Sequence, residues 1–375
     1  MESAGVPVSI IALVDDILRE AHMRGASDIH IDPSATGVRV RVRVDGVLEE
    51  QHGFSKNIHG EVISRIKVLA NLRTDEHAAS QDGRFRFAVE GGECVDMRVS
   101  IMPTYHGENA VMRLLSDKAE QYSLADLGFT KSDQEKIGTA IKRQGGMLLA
   151  TGPTGIGKTT TLYTLLKMLN RKEVSIVTIE DPIEYAVEHI EQIQVNPRSG
   201  LTFGSGLRSI LRQDPNIIMV GEIRDAETAS IAVNTALTGH LLLSTLHTND
   251  AATTLPRLLD MGIDAYLVAS TVNVAIGQRL VRKICTTCKE ETSKGIYKGR
   301  GCEECGGSGY KGRLCINEVL VADAEVREAI VRKASSAELK SIAVNNGMTT
   351  MFEDGLLKVQ SGQTSMEEVL RVTQE

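Results

Sequence analysis

One run of eight residues limits the possible folds of this chain more than any other feature. Gly152-Pro153-Thr154-Gly155-Ile156-Gly157-Lys158-Thr159 matches the spacing GxxxxGK[ST]. It follows an apolar segment ending at Ala150 and precedes a helical stretch over 160–170 that opens at Thr160. A strand, a glycine loop and a helix in that order form a cradle for phosphate. The glycines let backbone N–H groups turn inward, and the helix N-terminus adds a favourable dipole. Lys158 then reaches the β- and γ-phosphates and Thr159 ligates magnesium. A chance glycine-rich turn is the bland alternative, and the flanking strand and helix argue against it. The ligand expected is a nucleoside triphosphate, read as ATP, with Mg2+.

The surrounding sequence supports this frame. Short uninterrupted apolar runs at 147–150, 175–179, 217–220 and 241–244 alternate with helical stretches, the pattern of an α/β domain whose parallel sheet is covered on both faces. Polar groups follow these runs, where open α/β sheets bind ligands. Glu180, Asp181 and Glu184 follow one strand, Glu222 the next, and Thr245 and His247 a third. Glu222 is placed to hold magnesium through water or to orient the attacking water, and Glu184 competes for the second role. For Glu180 and Asp181 the bland alternative is that they cap the next helix. His247 is read as a γ-phosphate sensor and His240 as a weaker candidate, each against an ordinary structural histidine.

Residues 1 to about 116 have a different periodicity. Ile10, Ile11, Val14, Ile17, Leu18 and Ala21 fall on one helix face. Val38, Val40, Val42 and Val44 alternate with Arg39, Arg41 and Arg43 before the turn pair Asp45-Gly46. Phe85 and Phe87 alternate with Arg84 and Arg86, and Val95 to Ile101 alternates with Asp96, Arg98 and Ser100. These are half-buried strands of an α+β domain, and the polar stretch 116–123 separates them from the α/β part. A net charge of −7 disfavours nucleic acid as the main partner. No apolar run approaches the roughly 20 residues needed to span a bilayer, and the start lacks a signal peptide. The expected location is the cytoplasm.

Cysteine spacing supplies a second site. Cys285-x2-Cys288 and Cys302-x2-Cys305, with 13 residues between the pairs, provide four thiolates for a tetrahedral structural zinc. The tract 295–312 holds seven glycines and too few apolar side chains for a core, so the metal is expected to supply its folding energy. Disulfides are the alternative, disfavoured in a reducing compartment. Cys94 and Cys315 have no evident partner. Further on, Ser335 with Glu338 and Thr364 with Glu367 have capping-box spacing and predict the starts of two helices.

Taken together, these motifs resemble the type II secretion and type IV pilus assembly ATPases. Besides the phosphate loop, Thr178-Ile179-Glu180-Asp181-Pro182-Ile183-Glu184-Tyr185 is similar to that family's aspartate box. The run 207–225 is similar to its Walker B segment and 238–250 to its histidine box. The likeness extends from Gly25-Ala26-Ser27-Asp28-Ile29-His30 through Arg43-Val44-Asp45-Gly46 and Gln81-Asp82-Gly83-Arg84 to the last residues. It implies a PAS-like α+β domain over 1–116, a linker over 117–130 and a RecA-like ATPase domain over 131–375. The last includes a tetracysteine zinc element at 281–315 and C-terminal helices at 316–375. It also implies a homo-hexamer with nucleotide between domains and subunits, peripheral to the inner membrane through platform or assembly proteins, with no direct membrane contact.

In such rings an arginine from a neighbouring domain or subunit stabilises the transferring phosphoryl group. Arg41, Arg43, Arg84 and Arg86 are candidates, with an ordinary solvated strand face as the alternative. Arg39 reads as surface, and Arg279 lies in the motif-like Gln278-Arg279-Leu280. A tetracysteine element is typical of assembly and secretion members and absent from the retraction type. Retraction or conjugation motors of the same superfamily remain alternatives, as does a nucleotide-switched scaffold with little turnover. Three departures stand out. Ile156 and Asn216 replace the family's usual serine and aspartate, and the chain opens at the PAS-like region without the N-terminal docking domain of larger members. A trimmed piece or a short natural member would account for the last.

Overall fold

The computed structural model describes residues 9–89, 94–115, 122–293 and 295–374, and the chain divides into two compact units, Met1–Lys118 and Ala119–Glu375. Most of the polar stretch 116–123 lies outside the described residues. In the first unit, α1 (Ile10–Met23) is capped by the Ser9 side chain, which accepts from the Ala12 N–H. It is followed by β1 (Ala26–Pro33), β2 (Val38–Val44), β3 (Val47–Glu50), α2 (His59–Leu69), β4 (Gln81–Ala88), β5 (Cys94–Thr104) and β6 (Gly107–Leu115). The strands form one antiparallel sheet in the order β3-β2-β1-β6-β5-β4.

The period-two reading is reproduced there. Val38, Val40 and Val42 are buried, as are Met97, Val99 and Ile101, and they share a core with Val14 and Leu18 of α1 and Val62 and Ile66 of α2. The alternate residues form the opposite, charged face.

The second unit begins with α3 (Lys131–Ala140), β7 (Gly146–Thr151), α4 (Lys158–Leu169), β8 (Ile176–Glu180), β9 (Glu191–Gln194), α5 (Phe203–Ile210), β10 (Ile217–Val220), α6 (Ala226–Leu237) and β11 (Leu241–Leu246). It continues with α7 (Thr254–Asp260), α8 (Ala265–Thr271), β12 (Val272–Ile284), β13 (Lys289–Ser293), β14 (Ile296–Gly299) and β15 (Tyr310–Val321). Four helices close it: α9 (Ala324–Val331), α10 (Ser336–Asn345), α11 (Met351–Gln360) and α12 (Met366–Thr373). Seven strands form one sheet in the order β15-β12-β7-β11-β10-β8-β9. Every pair is parallel except β12 with β15, so the sheet is mixed. All four strands expected from apolar runs are present. Strands β7, β8, β10 and β11 are buried throughout because helices cover both faces, giving two cores divided by the sheet.

The helix starts depart from expectation at one point. Ser335 caps α10 through the Glu338 N–H. At α12, however, the cap is Ser365 acting on Glu368, one residue later than the Thr364–Glu367 spacing predicts. Thr364 is diverted because its hydroxyl donates to the Arg282 carbonyl at 2.8 Å. A tertiary partner wins over the local cap. A complete capping box instead joins Thr350 and Glu353 at α11.

Candidate nucleotide site and four-cysteine cluster

The loop from Gly152 to Thr159 leaves the carboxyl end of β7, an interior strand beside the middle strand β11, and enters α4. Gly157 is the N-cap of α4 in the left-handed region, φ +87°, and no side chain caps the helix. The first amides of α4 are therefore left for another acceptor. Lys158 is 8% exposed, and its Nζ donates to the carbonyls of Gly152 and Pro153, 2.7 Å each. Burial, with the nearby Arg279 charge, brings its pKa down to about 8, against an opposing pull from Glu222. Thr159, by contrast, is exposed. Ile156 is buried, and a β-carbon at Gly152 would lie 2.2 Å from its Cδ1. The unusual isoleucine thus packs down on the loop's own first glycine.

Groups from three strands converge on this lysine. Glu222, just past β10, is within electrostatic reach of Lys158. One of its oxygens meets His247 Nε2 at 3.1 Å, from the segment after β11, and the other meets Arg224 at 2.5 Å. Arg279 is buried in β12, its Nη1 3.0 Å from where a β-carbon on Gly152 would lie. Lys158, Glu222, His247 and Arg279 therefore form one group.

Glu184 acts on a neighbouring pair of residues. Its charge acts on Glu180 and its backbone on the Tyr163 hydroxyl. Glu180 is not an exposed cap. It is buried, its carboxylate taking hydrogen bonds from the hydroxyls of Tyr163 and Thr178 and from Gln192, and burial raises its pKa. Asp181 is exposed and feels the Arg224 charge. His240 contacts Thr235 and Thr238 at the turn before β11. Asn216 accepts from the Ser175 N–H at 2.8 Å and ties down the start of β8.

Sequence reasoning passed over several residues here. Arg224 lies two positions beyond Glu222 in the run already singled out. Thr151 joins the base of the phosphate loop to the segment after β11, donating to the Leu246 carbonyl and accepting from the Thr248 N–H, 3.1 Å each. Gln278, beside Arg279, reaches into the loop itself.

On the first unit, three of the four candidate arginines are spent on carboxylates within their own sheet. Arg41 pairs with Asp32 at 2.7 Å, Arg43 with Asp28 at 3.8 Å and Arg86 with Asp96 at 2.8 Å. Arg84 stands directly across from Arg98, and Arg98 across from Arg113. Like charges in register on adjacent strands repel, and here they line a cleft of about 400 Å3 with Asp28, Asp82 and Ser100. Arg39 is exposed, as expected.

The four cysteines between β12 and β15 come together with all Sγ atoms within 4.8 Å of one another. The pairs Cys285–Cys302, Cys288–Cys305 and Cys302–Cys305 are 3.8, 3.8 and 3.7 Å apart. A tetrahedron with Zn–S bonds of about 2.3 Å has edges of about 3.8 Å, while a disulfide requires about 2.05 Å. The donor set fits a tetrahedral thiolate metal. N–H groups of Cys302 and Gly309 point at the Cys305 sulfur, 3.1 and 3.3 Å away, and outweigh burial to bring its pKa to about 6. Cys94 is exposed at the start of β5. Cys315 is buried in β15, and burial pushes its thiol up to about 12.

A mixed sheet with a glycine loop between an interior strand and a helix, and acids at nearby strand ends, defines a P-loop nucleotide-binding protein. The chain belongs to the type II/IV secretion system protein family, whose model matches residues 6–371. It is 46% identical over 378 residues to the type IV pilus assembly ATPase PilB of Thermus thermophilus, covering 96% of this chain and 42% of that protein. It is also 46% identical to the type II secretion system ATPase E of Vibrio cholerae, over 98% of this chain and 76% of that protein. The chain thus spans less than half of the first relative and about three quarters of the second. Among solved structures, the Legionella pneumophila ATPase DotB aligns with a TM-score of 0.75 at 25% identity, over 99% of this chain and 98% of that one. The ADP-bound pilus retraction motor PilT aligns at 0.67 and 26% identity, over 96% and 97%. No helix among the described residues is long and apolar enough to cross a membrane.

Proposed function

We propose that this chain hydrolyses ATP with Mg2+ and that hydrolysis drives a homo-hexameric motor for type IV pilus assembly or type II protein secretion. The observation that carries this reading is Glu222, held by His247 and Arg224 beside the phosphate-loop lysine. Lys158 and the amides of residues 152–160 would hold the β- and γ-phosphates, and Thr159 and Glu222 would hold magnesium. The ion, when bound, neutralises charge on the phosphate oxygens. Glu222 orients the attacking water in preference to Glu184, because it shares the cluster with Lys158. His247, hydrogen-bonded to Glu222, registers the γ-phosphate. Arg279 adds fixed positive charge from within the same unit.

The remaining assignments follow from the same reading. Residues 1–116 form the PAS-like domain, 117–130 the linker and 131–375 the RecA-like domain with its zinc element. The arginine face of the first domain, including Arg41, Arg43, Arg84 and Arg86, serves nucleotide held by another domain or subunit. Cys285, Cys288, Cys302 and Cys305 bind a structural zinc. The motor works in the cytoplasm against inner-membrane platform or assembly proteins. The similarity to DotB and PilT supports a second reading, a conjugation-type or retraction motor, and the four-cysteine cluster favours assembly or secretion.

Phosphate release over a range of protein concentrations tests the chemistry. Steady release, rising per chain as oligomers form, is expected from the parent. It should fall by about 10²–10³-fold in Lys158→Ala and Glu222→Gln, with ADP binding retained in the latter. Tight nucleotide binding with flat release at every concentration would make the chain a scaffold.

A further inference from the structure

The side chain of Gln278 uses both ends of its amide on the phosphate loop and its helix. Nε2 donates to the Ile156 carbonyl at 2.8 Å, and Oε1 accepts from the Thr161 hydroxyl at 2.9 Å. Its exposure is 0%. It projects from β12, which runs parallel to β7, with Gly277 in register with Thr151 at the base of the loop. One rigid strand thus grips the loop at the residue before Gly157 and the helix three residues beyond Lys158.

The peptide between Ile156 and Gly157 is the part of the loop most in need of such a grip. Gly157 sits at φ +87° without the steric restraint of a β-carbon, so rotation of this peptide plane costs less than at other residues. Ile156 has no polar side-chain atom with which to fix it. In a planar trans peptide the C=O and the next N–H point in opposite directions. The only cis bond among the described residues is Asp181–Pro182. Holding the Ile156 carbonyl against Gln278 therefore turns the Gly157 N–H away from β12.

We propose that Gln278 is a positioning residue for nucleotide binding: by anchoring the Ile156 carbonyl it aims the Gly157 amide at the β-phosphate. This rests on the nucleotide reading above. Because the β-phosphate is common to ATP and ADP, the loss of this orientation weakens both ligands by the same factor. A group acting on the γ-phosphate or on water would instead separate them. The donor half of the amide is the half that matters, so its removal and the removal of the acceptor's partner have unequal effects.

The test is titration of the full chain with ADP–Mg2+ and ATP–Mg2+, with steady-state kinetics, for the parent, Gln278→Met, Gln278→Glu and Thr161→Val. Gln278→Met keeps the length and apolar bulk of the side chain but cannot donate, and Gln278→Glu can only accept. Thermal melting of each variant separates misfolding from lost orientation. The expected result for both Gln278 variants is a roughly tenfold rise in Kd for ADP and in KM for ATP, with kcat falling only two- to threefold. Thr161→Val should raise both constants by threefold or less. Equal binding by folded Gln278→Met and the parent overturns the inference and leaves the nucleotide reading standing. A change confined to ATP, or to kcat, also overturns it. A parent that binds neither nucleotide overturns the nucleotide reading itself.

Discussion

The phosphate loop and the four-cysteine ribbon are both glycine-rich, yet opposite means hold them in shape. The loop is a short excursion from a finished core. Leu148, Ala150, Leu162, Leu165, Met219 and Leu243 are buried around its two roots, and its geometry follows from the sheet beneath it. In the ribbon, every residue of β13 is exposed, and β14 contributes no buried side chain. Its backbones touch directly, since a β-carbon on Gly299 would lie 2.0 Å from the Gly309 carbonyl oxygen. What gathers it is sulfur. In the loop the fold makes the site; on the proposed zinc reading, the ribbon's metal would supply the folding energy that its few buried side chains do not.

Three perturbations would break or sharpen that contrast. The largest effect is expected from Cys302→Ser. Bound zinc should fall from about one per chain to well below half, and residues 285–310 should become open to protease. ADP affinity should stay within about threefold of the parent. A metal-free ribbon that still resists protease would place its fold before its metal and end the distinction.

Next comes the seam between ribbon and α12. Burial opposes charge on Glu368, but hydrogen bonds from Arg371 and Arg282 outweigh it and bring the carboxyl down to about 2. Because the folded pKa lies below the unfolded one, this stability is fully present above about pH 4.5 and is lost as pH falls toward 2. The contribution is on the order of 2 kcal/mol after allowing for screening at the half-exposed Arg371. Unfolding midpoints from pH 7 to 3 should therefore fall less steeply for Glu368→Gln than for the parent. Parallel curves would remove Glu368 from the account. The smallest effect belongs to Thr364→Val, which deletes the bond to the Arg282 carbonyl and should cost about 1 kcal/mol in denaturant unfolding. A neutral result would mean that α12 is held to the ribbon by Glu368 and the Ser365–Tyr310 hydroxyl contact instead.

The elements with strong local signals were readable in advance. The strand–loop–helix around Lys158 and the alternating strands of the first unit need only periodicity and glycine placement, and the cysteine pairs need only spacing. Long-range partners were not readable. Glu184 and Glu222 are equivalent as strand-end acids until the strand order puts β10 beside β11, next to the loop's own strand, and so brings Glu222 to Lys158. Glu180 sits beside a charged motif but is buried under Tyr163. Thr364 has a faultless local cap pattern and gives its hydroxyl to Arg282.

The sequence by itself determined that this protein has a phosphate-binding loop, a cluster of thiolates and two differently patterned units, because each depends on residues close together in the chain. Only the tertiary structure decided which acid faces Lys158 and which arginines stand in register across β4, β5 and β6. It also decided that Gln278 grips the loop from 122 residues away. The physical reason is common to all three: strand order and register join residues far apart in the chain, and no local spacing encodes them.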